Sequence, residues 1–366
     1  MKAAFAILLA AVVAVFASVR RVSAAPIYHL TDLSSLGGDG IEAEAINDGG
    51  QIVGAAVLTG GSYPFPTPFH AYLYSHGIKT DLGTLGGSVS IGQSINGSGD
   101  IVGGARNSSD ESRAFRYSNG VMQELGTLNG GLYSDAYSIN SSGQIVGRSD
   151  VYYGDHAFLY SAGKMKDLGT LGGQSSYAYG INDAGQIVGS ADSSQTRRPF
   201  LDSGGVMKDL GSLGGGQGEA LWINNAGQVV GDSYTTNGVQ HAFLYSGGAM
   251  NDLGTLGGTI SGAFNINNSG QIVGYSTLAG DTVKHAFLDI NGTMLDLNNQ
   301  LDGSGSGWSL KYARSINNEG WIVGDGISPG GKIEPFLLSP VPEPSGLFLL
   351  SLGVLPLFRW LRMIRR

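Results

Sequence analysis

Four histidines occupy one recurring position of this 366-residue chain, at His70, His156, His241 and His285, each 11 residues ahead of an acidic side chain. A histidine beside a carboxylate can act as a general base or bind a metal. The same position holds Arg113, Arg198 and Glu334 in other copies. A catalytic or ligand set would not be dealt out as one residue per repeat. The pairs His70/Asp81, Arg113/Glu124, His156/Asp167, Arg198/Asp209, His241/Asp252 and His285/Asp296 are therefore expected to be scaffold contacts. On adjacent strands they would face each other, each contributing about 0.2–1 kcal/mol. The seventh pairing, Glu334 with Asp32, brings two acids together and breaks the rule.

Other chemistry finds little support. With no Cys, disulfides, thiolate metal sites and Cys nucleophiles are excluded. No G-x-S-x-G elbow stands before a helix. The glycines of D-L-G-T-L-G-G lack the following helix and the Lys of a phosphate loop. Asp302-Gly303-Ser304-Gly305-Ser306-Gly307 has the look of a calcium loop without its terminal Glu, and reads as a surface loop. No metal and no cofactor is expected. Glu42 and Glu44 remain, two apart on one strand and so on one face, the pairing a glycosidase or lyase could use.

The elements that position these residues are short strands. The chain has 61 Gly, 42% hydrophobic and only 14% charged residues. Gly is costly inside helices, yet the apolar content suffices for a core. The motif I-N-x-x-G-Q-I-V-G recurs seven times, starting at Ile46, Ile95, Ile139, Ile181, Ile223, Ile266 and Ile316. Its Asn is present in every copy: Asn47, Asn96, Asn140, Asn182, Asn224, Asn267 and Asn317. So is its first Gly: Gly50, Gly99, Gly143, Gly185, Gly227, Gly270 and Gly320. Asn favours the first position of a type I turn, and Gly the left-handed position that follows it. Each copy should be a tight hairpin.

The motifs H-A-F-L-Y and D-L-G-T-L-G-G supply two further strands per unit. Four strands in 42 to 50 residues make a β-propeller blade. The expected fold is all-β: a seven-bladed propeller of four-stranded antiparallel blades over residues 26–340. The phase of the ends argues for closure. Tyr28–Leu33 is a D-L-G strand with no partner before it, and Glu334–Leu338 is an H-A-F strand with none after it. Pairing them completes the seventh blade and removes exposed edges.

Function in such a scaffold should sit where the copies differ. Ahead of each I-N turn, a small residue (Ala43, Gly92, Ala136, Ala178, Ala220, Ala263, Ala313) alternates with two variable positions. These read Glu42/Glu44, Ile91/Gln93, Asp135/Tyr137, Tyr177/Tyr179, Glu219/Leu221, Gly262/Phe264 and Tyr312/Arg314. Aromatic rings among acids and an Arg are what a sugar-binding face uses.

Both ends read as export signals. An apolar run from Ala3 to Phe16, then Val22-Ser23-Ala24-Ala25, fits a secretory signal peptide over residues 1–25. Residues 341–366 begin Val341-Pro342-Glu343-Pro344, continue as a short apolar helix that could just span a membrane, and end with Arg359, Arg362, Arg365 and Arg366. This tail resembles the PEP-CTERM sorting signal of Gram-negative bacteria. The resemblance implies a transient inner-membrane stage, processing by an exosortase, and release to the cell surface. The H-A-F-L-Y and D-L-G-T-L-G-G signatures resemble the HAF repeat of extracellular bacterial proteins, a family without an established activity.

Without the two ends, residues 26–340 keep 14 of the 21 basic and 28 of the 29 acidic side chains, a net charge of −14. That argues against nucleic acid, whose binding depends on phosphate neutralisation. The sequence reads as a monomeric, non-catalytic surface or matrix propeller that contacts exopolysaccharide or other surface proteins. The alternatives are a lectin-like module and, behind it, a polysaccharide lyase or glycosidase.

Overall fold

A computed structural model describes residues 25–34, 42–57 and 68–342. The expected leader, apart from Ala25, and the tail from Glu343 onward lie outside the described residues. No helix among the described residues is long and apolar enough to cross a membrane.

Twenty-eight strands form seven four-stranded antiparallel sheets. The first blade runs in chain order through β2 (Glu42–Ile46), β3 (Ile52–Val57), β4 (Phe69–Ser75) and β5 (Ile78–Asp81). Five further blades repeat this order over residues 86–126, 134–167, 172–209, 214–252 and 257–296. Each blade thus starts at the variable strand before the I-N turn, not at H-A-F-L-Y. The seventh joins β26 (Ser309–Ile316), β27 (Ile322–Ile327) and β28 (Ile333–Pro340) to β1 (Tyr28–Asp32). Tyr28 lies opposite Pro340 and Asp32 opposite Phe336 in that closing ladder. The expected closure is observed.

Period-two patterning builds the core. The Ile and the Val of each I-V-G strand point to opposite faces of their blade, as do the Ala and aromatic residue of H-A-F. Val146 and Ala157 of the third blade pack on Ala178, Ile181, Ile187 and Phe200 of the fourth. The fifth and sixth blades repeat the arrangement with Val230 and Ala242 against Ala263, Ile266, Ile272 and Phe287. At the seam, Val323 and Leu337 meet Ala43, Ile46 and Ile52. Phe115, Phe158, Phe200, Phe243, Phe287 and Phe336 are fully buried between blades. Each such ring stabilises the fold by about 1.5–3 kcal/mol.

The I-N turns form as expected. Every Asn carbonyl accepts from the Gly N–H three residues on, at 3.0–3.1 Å, and each of those glycines has φ between 73° and 82°. The Asn side chain does more than the turn requires. Its Oδ1 accepts the N–H four residues on in all seven copies. Its Nδ2 reaches the Asn carbonyl of the next blade at 3.0–3.2 Å. Seven buried asparagines therefore tie the inner strands into one closed ring.

The last Gly of G-Q-I-V-G has its own cause. Each inner strand carries an extra residue, between Ala43 and Ala45 in the first blade and Ala178 and Gly180 in the fourth, with the same shift in all others. Such a bulge pushes backbone toward the neighbouring strand. A Cβ on Gly54 would sit 1.8 Å from the Glu42 carbonyl oxygen. The corresponding figure is 1.8–2.0 Å at Gly103, Gly147, Gly189, Gly231, Gly274 and Gly324.

Candidate functional site

The bulges decide where the variable residues go. The extra residue in each inner strand is Glu44, Gln93, Tyr137, Tyr179, Leu221, Phe264 or Arg314. These side chains gather around the ring axis, beyond the Asn ring, with the residues two places earlier beside them. Tyr137 and Tyr179, from adjacent blades, have ring centroids 5.6 Å apart, and Tyr177 stacks on Tyr179 at 6.2 Å. Phe264 and Tyr312 meet across the next junction but one at 6.4 Å. Arg314 lies 3.5 Å from Glu44 across the seam between the seventh and first blades. Gln93, on the second blade, has no printed contact with these clusters.

The sequence reading missed one shell of this site. Directly opposite the variable position before each bulge stands the residue after I-V-G: Ala55, Gly104, Arg148, Ser190, Asp232, Tyr275 and Asp325. Its signal was available, because this position varies in kind from copy to copy while the Gly before it never does. Arg148 pairs with Asp135 at 3.0 Å and Asp155 at 3.4 Å. Tyr133 and Tyr177 both donate to the same Asp155 carboxylate. Arg197 lies over Tyr177 at 4.7 Å and reaches Glu219 at 3.6 Å. Lys284 covers Tyr275 at 4.6 Å and Tyr312 at 5.5 Å. Several ring faces are thus already occupied by cations of the chain itself.

The acids of this mouth are perturbed. Burial pushes the Glu44 carboxyl up to about 7, against the pull of Arg314 and with help from Glu42 and Asp325. Burial likewise raises Asp325, with Arg314 opposing, and Arg314 Nε donates to its carboxylate. In the fifth blade, burial and then the charge of Glu219 lift Asp232 to about 7. Tyr72, whose hydroxyl donates to the Glu42 carbonyl at 3.1 Å, is raised mainly by burial. Near neutral pH, Glu44 and Asp232 can therefore hold or release a proton.

The six His/Arg–acid pairs all form, at 2.7–3.0 Å. Their register differs from the expectation. Asp167 stands opposite Phe158, and Asp81 opposite Tyr72, so each pair is diagonal and not face to face. In four copies the Asp also accepts an N–H two residues on, which fixes the turn out of the blade. At the seam, Asp32 makes its turn bonds to Ser34 instead. Asp302 accepts from the Ser304 N–H within its own loop. Among the described residues, no group of three or more His, Asp or Glu is arranged to hold a metal ion.

The mouth and the ring together define a seven-bladed β-propeller. No protein-family model matches the chain, and no curated protein matches it in sequence. Solved structures do resemble it. A puromycin-hydrolysing peptidase of Mycobacterium tuberculosis aligns at TM-score 0.51 with 11% identity, over 85% of this chain and 56% of that one. A TolB protein of Agrobacterium tumefaciens aligns at TM-score 0.46 with 11% identity, over 87% of this chain and the whole of that one. At such identity the likeness shows the fold alone.

Proposed function

We propose that this chain is an exported, non-catalytic cell-surface or matrix propeller that contacts exopolysaccharide through the variable mouth. One observation carries the reading. The seven copies agree at the Asn ring and in the blade core, and diverge where Tyr137, Tyr177, Tyr179, Glu219, Phe264 and Tyr312 surround the axis. Conservation between repeats at one mouth and divergence at the other separates scaffold from recognition. Apolar rings interleaved with carboxylates and guanidinium groups offer stacking and hydrogen bonds to hydroxyl-rich chains. A glycan array probed with residues 26–340, which contain every strand of the closed ring, tests it. Binding to at least one polysaccharide class is expected, and an empty array would contradict the reading.

The export route rests on the resemblance of the tail to the PEP-CTERM signal. In a cell with a matching exosortase, mass spectrometry of the surface protein should find its C-terminus within a few residues of Ser345. Recovery of the tail through Arg366 would make it a permanent anchor.

A catalytic reading has one observation in its favour, the Glu44 carboxyl held near neutrality beside Glu42 and Arg314. A general acid in a glycosidase is tuned in this direction. Turnover of an array hit, lost in Glu44→Gln, would replace the binding-only account.

A further inference from the structure

Two adjoining cavities of about 950 and 420 Å³ open on the rim of the second to fourth blades and share Leu132 as a wall. Their origin is local. The connection Thr127–Ser134 is one residue longer than its counterparts Thr84–Ser90 and Thr170–Ser176. In the shorter loops Leu85 and Leu171 bridge directly to a neighbouring strand. The longer one instead forms a 3-10 turn over Leu128–Gly130, with Asn129 in the left-handed region at φ 52°. The residues that follow are displaced outward, and Leu132 is 70% exposed.

Across the larger cavity stand Tyr152 and Tyr153, 89% and 73% exposed, edge to face at 4.4 Å. Single exposed apolar residues are ordinary, but three around one cleft mark an interaction site. The polar lining includes Asp150 and the His156–Asp167 pair.

Charge selects the occupant. Asp110, Glu111, Asp135, Asp150 and Asp167 line the two cavities against Arg106 and Arg148. Both cations are already paired, Arg106 with Asp110 at 2.6 Å and Arg148 with Asp135 at 3.0 Å. A polyanion would meet net repulsion here, and an ammonium group would find unmatched carboxylates. We propose that this groove binds an amino-sugar polymer with free ammonium groups, its ring faces stacked on Tyr152 and Tyr153. The inference deepens the exopolysaccharide reading and rests on it.

The test titrates the purified protein with a β-1,4-linked glucosamine oligomer, its fully N-acetylated form and a polyuronate oligomer. The glucosamine oligomer should bind best, and more weakly as salt rises. Both tyrosines project into solvent, so the double variant Tyr152→Ala/Tyr153→Ala should melt like the wild type and bind at least about tenfold more weakly. Unchanged binding by the double variant would overturn the inference. So would equal or tighter binding of the acetylated or uronate oligomer, while leaving exopolysaccharide contact standing. Failure of all three, with an empty glycan array, would remove both.

Discussion

Asn317 Nδ2 donates to the Asn47 carbonyl at 3.0 Å, across 270 positions of sequence. The bond closes a circle that six identical bonds open, and it places the last inner strand against the first. Because all seven asparagines are buried, each also satisfies groups that water cannot reach.

Asn182→Ala removes the bonds to the Gln186 N–H, the Gln186 Oε1 and the Asn224 carbonyl. Leaving such partners buried and unpaired costs about 1–3 kcal/mol. Asn182→Asp keeps the acceptor but sets a carboxylate against the Asn224 carbonyl, so it should cost at least as much. Urea unfolding measures both. Variants within about 0.5 kcal/mol of wild type, the ordinary range for surface changes, would remove the ring's structural role.

The same asparagines show what the sequence could and could not convey. Their recurrence, with Gly50 and its counterparts, predicted the turn, the blade count and the closing pair of strands, because turn chemistry and period-two patterning are local. The inter-blade bond was hidden, since it joins residues 42 to 50 apart or, at the seam, 270 apart. The bulge was hidden for another reason. Gly54 and its equivalents looked like strand ends until the backbone showed the Glu42 carbonyl oxygen in the space a Cβ would take. The variable pair Tyr177/Tyr179 was visible as a pattern, but the cations covering those rings came from other motifs.

Gly189→Ala should therefore be among the most damaging small substitutions in the chain. Its Cβ would lie 1.8 Å from the Tyr177 carbonyl oxygen, so backbone must move, at a cost of several kcal/mol, on the order of overpacking and strain combined. Gly97→Ala is the control, with no atom within 4 Å and no positive φ. It should change stability by less than about 1 kcal/mol, in the stabilising direction. Equal thermal shifts for the two would refute the bulge explanation.

The raised acids predict a pH trend. Glu44 and Asp232 are held near 7 by burial, above their values in the unfolded chain. Between the unfolded and folded values the native state binds more protons, so stability contributed by these groups falls as pH rises from about 4.5 through about 7. Each unit of separation corresponds to about 1.4 kcal/mol. Relative to wild type, Glu44→Gln and Asp232→Asn should gain stability across that window and differ least near pH 4. A relative gain that appears on acidification would reverse the sign and contradict the burial of these carboxyls.

The central claim is that recognition belongs to the variable mouth, not to the Asn turns. Co-sedimentation with a polysaccharide found on the array measures it most directly, with Tyr177→Ala/Tyr312→Ala for the mouth and Glu319→Ala for an exposed site on the opposite turns. The account predicts that the mouth variant loses at least about tenfold in affinity while Glu319→Ala binds like wild type. Loss of binding in Glu319→Ala with full retention in the mouth variant would contradict it.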